Sequence, residues 1–162
     1  MAKEQFARYG VPVIRVIVGA FFLYEAASQL RKGWIGGDGL ERMIRSAIRG
    51  HDILPPFKWF LEDVVIEYDQ LFTVLSIAGE LAVGVAIVMG LLTRLTALVA
   101  LFMNVNFLML NGLTVGGLID AIWIVFELLI IAFAVRQAWS ADGWLARRGF
   151  YMENVTGAPP PP

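Results

Sequence analysis

Leu71-Phe72-Thr73-Val74-Leu75-Ser76-Ile77-Ala78-Gly79-Glu80-Leu81-Ala82-Val83-Gly84-Val85-Ala86-Ile87-Val88-Met89-Gly90-Leu91-Leu92 is an apolar run with a single charge, Glu80, near its middle. Crossing the ~30 Å hydrocarbon core of a bilayer takes roughly 20 predominantly apolar residues in a helix. The run has that length, so it predicts a transmembrane span over 71–92. Three further runs have the same character: 11–29, interrupted by Arg15 and Glu25; 95–112, without a charge; and 116–135, which contains Asp120 and Glu127. Only Thr93-Arg94 separates the second span from the third, and Leu113-Thr114-Val115 the third from the fourth. Connections that short make consecutive helices antiparallel neighbours. The predicted fold is an all-α integral membrane protein, an antiparallel bundle of four transmembrane helices in one domain over 1–156.

Composition agrees. Hydrophobic residues make up 58% of the 162 and charged residues 17%, against about 45–50% and about 25% in soluble domains. Lys and Arg total 13 and Asp and Glu 14, a net charge of −1. Nucleic-acid binding needs a basic face, so this balance argues against such a partner. There is no Cys and one His, His51, which excludes Cys-held clusters, covalent c-type haem and His-rich zinc sites built by this chain alone. The sequence therefore predicts no metal site and no covalently bound cofactor.

The first run carries Glu25 and is followed by Arg31 and Lys32 where a cleaved leader would show small residues, so it is read as a retained helix. Pro12 suits the first turn of that helix, where its missing N–H costs nothing. Between the first and second spans, Ile35-Gly36-Gly37-Asp38-Gly39 has no phosphate-binding Lys in register and reads as a turn. Asp38 and Glu41 then resemble a capping box. Leu40, Met43, Ile44, Ala47 and Ile48 recur at helical spacing, with Arg42, Arg45 and Arg49 on the opposite face. This predicts a short amphipathic helix in the membrane interface or against a partner. Pro55-Pro56 starts a second short helix whose Phe57, Trp59 and Phe60 are candidate anchors at headgroup depth.

Basic residues near span ends set orientation. With four spans, Lys3, Arg8, Arg15, Arg94, Arg136, Arg147 and Arg148 share a side with both termini, and Arg31, Lys32, Arg42, Arg45, Arg49 and Lys58 lie opposite. Much of the second set sits in the structured loop, so the expected arrangement is a multi-pass protein of a bacterial or archaeal cell membrane with both termini cytoplasmic. Residues 157–162, Gly-Ala followed by four Pro, predict an extended tail.

An ionisable group inside a span costs on the order of 2.5–3.5 kcal/mol, so each needs a partner, a wet cavity or a protonated state. Glu80 lies between Gly79 and Leu81 with Gly84 one turn on, a face expected to point into the bundle. Asp120 and Glu127 share one face of the fourth helix about 10.5 Å apart along its axis, and two inward carboxylates on one stripe could relay protons. Asn104 and Asn111 repeat that spacing on the third helix and could bond across to them. Arg15 lies one turn into the first helix, about 15 Å from Glu25, so the two do not pair. Each group also has a plain reading: Glu80 as an assembly hydrogen bond, Asp120 as interfacial, Arg15 as a snorkelling anchor. The candidate intramembrane polar site is Glu80, Arg15, Asn104, Asn111, Glu127 and Asp120. The candidate partner-contact set is Arg42, Arg45, Arg49 and Trp59.

Arg15 followed by Gly19 and Phe22, then Gly79-Glu80 with Gly84, then Gly90-Leu91-Leu92-Thr93-Arg94 closing the second span together resemble the DoxX-like family of small four-helix membrane proteins. That family includes the DoxD small subunit of thiosulfate:quinone oxidoreductase. Members often end the first helix with a small residue and a Lys, for which Ser28-Gln29-Leu30-Arg31-Lys32 is a shifted version. The resemblance implies a membrane subunit working with a partner protein in quinone-linked oxidoreduction, with a quinone as the cofactor. A quinone site needs an apolar slot and a donor or acid near each ring oxygen, and Glu80, Asn104, Asn111 and Arg15 have the right chemistry. Two other readings stand beside it: a non-catalytic accessory subunit of a larger respiratory or photosynthetic complex, and, on the Asp120/Glu127 stripe, a small-molecule carrier. The expected partners are the lipid bilayer and other protein subunits.

Overall fold

The computed structural model describes residues 2–133 and 140–148. All regular elements among these residues are helical. Helix α1 is Val11–Arg31, entered from a helical lead Ala2–Gln5 through a π turn Phe6–Gly10; α2 is Gly39–Gly50, α3 Pro55–Phe60, α4 Asp69–Met89, α5 Thr93–Asn111, α6 Val115–Phe133 and α7 Ala141–Arg147. Four of the helices are long and apolar enough to span a membrane. The chain is a multi-pass membrane protein in contact with the lipid bilayer. The expected tail over 157–162, Arg136 and the last two residues of the fourth span lie outside the described residues.

Two helix pairs pack most closely, α1 with α4 and α5 with α6. Lipid tails are as apolar as Leu, so helix association in a membrane depends on close packing and hydrogen bonds. The α1–α4 crossing uses Gly19 and Gly84, where a Cβ added to Gly19 would stand 2.8 Å from the Gly84 carbonyl oxygen. Val18, Phe22, Val83, Ile87, Ala97, Ala100 and Ile130 fill the middle of the bundle. Phe21 of α1 stacks on Trp123 of α6 with centroids 4.2 Å apart, closing the ring of four helices. The outward faces, with Val74, Leu75, Val85, Leu98, Phe102, Ile122 and Val125 exposed, suit hydrocarbon.

Helix α4 stops at Met89, three residues before the expected end, because Gly90 takes a left-handed conformation, φ 67° and ψ 46°. That is a glycine C-cap: a β-carbon is penalised there, and the chain leaves the helix axis. The amphipathic helix forms as α2, but Asp38 makes no side-chain cap. The expected capping box is absent because Asp38 pairs instead with Arg42 at 3.2 Å, and Glu41 with Arg45 at 2.6 Å. The apolar face of α2 is satisfied by the protein itself: Leu40 and Ile44 pack with Leu61, Val65 and Leu110. Helix α3 starts at the Pro pair and runs into a second π turn, where Ile66 N–H donates to Leu61 O at 3.0 Å. Phe60 packs edge-on against Phe72 and Phe57 stacks on Phe60, while Trp59 stays exposed. The glycine-rich stretch is a turn, pinned by Gln70, whose Oε1 accepts from Gly36 N–H at 2.6 Å.

Candidate functional site

Antiparallel packing brings the C-terminal ends of α1 and α5 beside the N-terminal ends of α4 and α6, under the lid formed by α2. A cavity of about 220 Å³ lies there, lined by Glu25, Gln29, Lys32, Trp34, Ser76, Glu80, Phe107, Asn111 and Asp120, with Phe21, Phe22, Leu40 and Met43 as apolar wall. Glu80 is 1% exposed. Gln29 Nε2 donates to both of its carboxylate oxygens, at 2.8 and 3.0 Å, and Ser76 Oγ lies 3.4 Å from Oε1. Asp120, 8% exposed, accepts from Asn111 Nδ2 at 2.8 Å. Each acid is thus held by a neutral amide from a neighbouring helix, which fixes its orientation without cancelling its charge. The buried acceptor Gln29 Oε1 has no hydrogen-bond partner among the described residues.

One level deeper, Asn104 and Glu127 are both 0% exposed, and Asn104 Nδ2 donates to Glu127 Oε1. The two Asn–acid pairs follow the matching seven-residue spacings on adjacent helices, as expected. Asn104 Oδ1, Glu127 Oε2 and the neighbouring Trp123 Nε1 have no partner among the described residues. Glu127→Gln is expected to fold as well as the parent chain, because its amide can give an N–H to Asn104 Oδ1 and still accept from Asn104 Nδ2. Glu127→Leu strands the Asn104 Nδ2 donor and is expected to cost about 1–3 kcal/mol. Unfolding in detergent separates the two, and equal stability of the Leu and Gln variants contradicts this reading.

Arg15 is not in the cavity. It sits at the other end of the bundle, where its Nη2 lies 3.4 Å from Val88 O and its guanidinium covers Gly90. By helical rise it is about 21 Å from Gln29 along α1, so it cannot meet a ligand there. The Arg15 end holds a group that the sequence reading passed over. Asp142 of α7 is 2% exposed and caps α5 from outside: Oδ1 accepts from Leu92 N–H at 2.7 Å, and Oδ2 from Thr93 N–H and Oγ1 at 2.8 and 2.7 Å. Asp142 N–H returns a bond to Gly90 O at 3.0 Å. Leu92, at φ 48°, is held in a left-handed conformation that side chains disfavour. An Asp in the first turn of a short polar helix gives no sign of this partnership. Gln29 had a faint one, since it is one helical turn beyond Glu25 on the same face.

Arg42, Arg45 and Arg49 lie on the exposed face of α2, and Trp59 is exposed on α3. They stand over the cavity end and do not line it. Among the described residues there is no group of three His, Cys, Asp or Glu side chains that could hold a metal ion.

The DoxX family model matches residues 10–111. The chain belongs to the DoxX family. The match takes in α1 through α5, and with them Glu80, Gln29 and the Gly90-to-Arg94 turn; Asp120, Glu127 and Asp142 lie beyond it. No curated protein and no solved structure matches the chain. For this DoxX protein the arrangement can do two things chemically. It can seat a small polar molecule against aromatic side chains, and it can offer that molecule two buried, oriented acids, Glu80 of α4 and Asp120 of α6.

Proposed function

We propose that this DoxX protein is the membrane subunit of a quinone-linked oxidoreductase, and that the cavity under α2 is where the quinone ring binds. The carrying observation is the pairing of Glu80 and Asp120 across an aromatic-walled space of about 220 Å³. Phe21, Phe22, Trp34 and Phe107 suit the faces of a planar ring. Gln29 Oε1 offers a buried acceptor to a hydroxyl of the reduced form. A bound quinone supplies a couple of two electrons and two protons. Without Cys and with a single His, the chain depends on a partner oxidoreductase carrying its own redox group to exchange the electrons. Its own residues handle protons: a protonated Glu80 or Asp120 can give a proton to an oxygen of the quinone as it is reduced, and an ionised one can accept a proton from a hydroxyl of the reduced form. With both termini cytoplasmic, as the basic residues favour, the cavity opens toward the opposite face of the membrane.

Glu80→Gln removes the exchangeable proton but keeps assembly, because rotation of the Gln29 amide lets the two side chains pair as amides. Quinone-coupled turnover with the partner is expected to fall about 10²-fold or more, the usual contribution of a positioned acid or base. Unchanged turnover in an assembled Glu80→Gln complex sinks the proposal. The outward row of Arg42, Arg45 and Arg49 with exposed Trp59 favours a second reading, a non-catalytic subunit docked in a larger complex. In that case the complex keeps its activity when this chain is removed.

A further inference from the structure

The cavity at the Arg15 end plays no part in the function proposed above. It is a space of about 400 Å³ on the outer side of α1, lined by Arg8, Tyr9, Val13, Arg15, Val16 and Ile17, together with Val88 of α4. The helical stretch Phe6–Arg31 has 26 residues, more than the roughly 20 that a crossing takes, so its first turns bring Arg8 and Tyr9 to headgroup depth. Arg8 and Arg15 are seven residues, about two turns, apart and face the same space. Arg15 does not snorkel. A long basic side chain near the end of a span ordinarily runs to the headgroups and leaves its charge in water. Arg15 is 2% exposed, and its Nη2 lies 3.4 Å from Val88 O at the last turn of α4. Its charge therefore sits at the inner wall of the space, where an anion is attracted more strongly than at an open surface, while Arg8 is exposed at the mouth. Asp142 is within electrostatic reach of Arg15, but both of its carboxylate oxygens already accept from donors of Leu92 and Thr93. Next to the charges, Val13, Val16 and Ile17 are exposed on the lipid-facing side of α1.

From this arrangement we infer that the space is a site for one anionic phospholipid, with its phosphate between Arg8 and Arg15 and an acyl chain along Val13, Val16 and Ile17. Basic pockets beside spanning helices suit anionic headgroups. Arg8 stands over the Tyr9 ring, 5.3 Å from its centroid, and the Tyr9 hydroxyl is a further donor for a phosphate oxygen. A free phosphate would use the polar half alone. A phospholipid uses both halves, because its own chain holds the phosphate at the depth of the arginines and packs on the exposed aliphatic side chains. The site is separate from the acid-lined cavity and does not depend on any redox role.

The test uses the full chain in mild detergent, with phosphatidylglycerol and phosphatidylcholine of identical acyl chains supplied in equal amounts and bound lipids counted by native mass spectrometry. The parent chain is expected to hold one phosphatidylglycerol about tenfold more tightly than phosphatidylcholine. Arg8→Gln, at an exposed position where a folding defect is not expected, should weaken phosphatidylglycerol binding about fivefold, the worth of one basic residue at an anionic membrane surface. It should leave phosphatidylcholine binding as it is. Val13→Trp, on the lipid-facing side, crowds the apolar half and is expected to weaken both lipids. Arg49→Gln loses the same charge from the exposed face of α2 and should bind like the parent. A parent chain that holds both lipids equally overturns the site, as does a folded Arg8→Gln chain that binds phosphatidylglycerol like the parent. Equal losses in Arg8→Gln and Arg49→Gln overturn it too, in favour of diffuse attraction to the whole surface. Displacement of phosphatidylglycerol by millimolar inorganic phosphate, with binding unchanged in Val13→Trp, marks a site for a free anion and overturns the lipid named here.

Discussion

Gly19→Leu is expected to abolish the folded bundle, and Gly19→Ala to lower its stability by about 1–3 kcal/mol, the range for overpacking a well-packed site. A β-carbon at Gly19 meets backbone as well as side chain: 2.5 Å to Val88 Cγ2, 2.8 Å to Gly84 O and 3.1 Å to Val88 N. A side chain can change rotamer, but the α4 backbone moves only if the helices part. Parting α1 from α4 would also stretch the bonds from Gln29 to Glu80, now 2.8 and 3.0 Å. Stability and the Gln29–Glu80 pairing should therefore weaken together in Gly19→Ala. Gly50→Ala is the control, because nothing lies within 4 Å of a β-carbon there and surface changes usually stay within about 0.5 kcal/mol. Denaturant titration in detergent measures both. A Gly19→Ala chain as stable as the parent contradicts the close crossing described here.

Asp142→Ala is expected to cost about 2–4 kcal/mol, through loss of a helix cap and of hydrogen bonds to a charged acceptor. Three donors at the start of α5 converge on this carboxylate, and the first N–H groups of a helix have no partner inside it. Alanine strands them in a buried place. It also releases the strained Leu92 and removes a charge within electrostatic reach of Arg15. The α4–α5 turn should open, so trypsin is expected to cut after Arg94 in the variant under conditions where the parent resists. Asp142→Asn keeps one acceptor oxygen and should fall between the two. Protection at Arg94 that is the same in all three chains sinks this account.

Four apolar runs of bilayer-crossing length, joined by turns of two or three residues, sufficed to establish the bundle and its order, because hydrocarbon accepts a helix of that length and short turns permit only antiparallel neighbours. Helical periodicity gave Asn104 and Asn111 the same seven-residue spacing as Asp120 and Glu127, so that they could bond across, while the packing of α5 on α6 brings the pairs level. It also identified the two faces of α2, though not what covers the apolar one. Convergence was beyond its reach. Arg15 and Glu80 had the same standing as intramembrane charges, yet Arg15 meets Val88 near the end of α4 while Glu80 pairs with Gln29 on the other side of the Gly19–Gly84 crossing. Gln29 became a partner of Glu80, and Asp142 a cap for α5, only through the way helices distant in sequence pack against each other. The acid-lined cavity under α2 is likewise a product of tertiary packing. Periodicity reports which face of a helix is apolar, while the space between helices depends on side chains from four elements meeting at one depth.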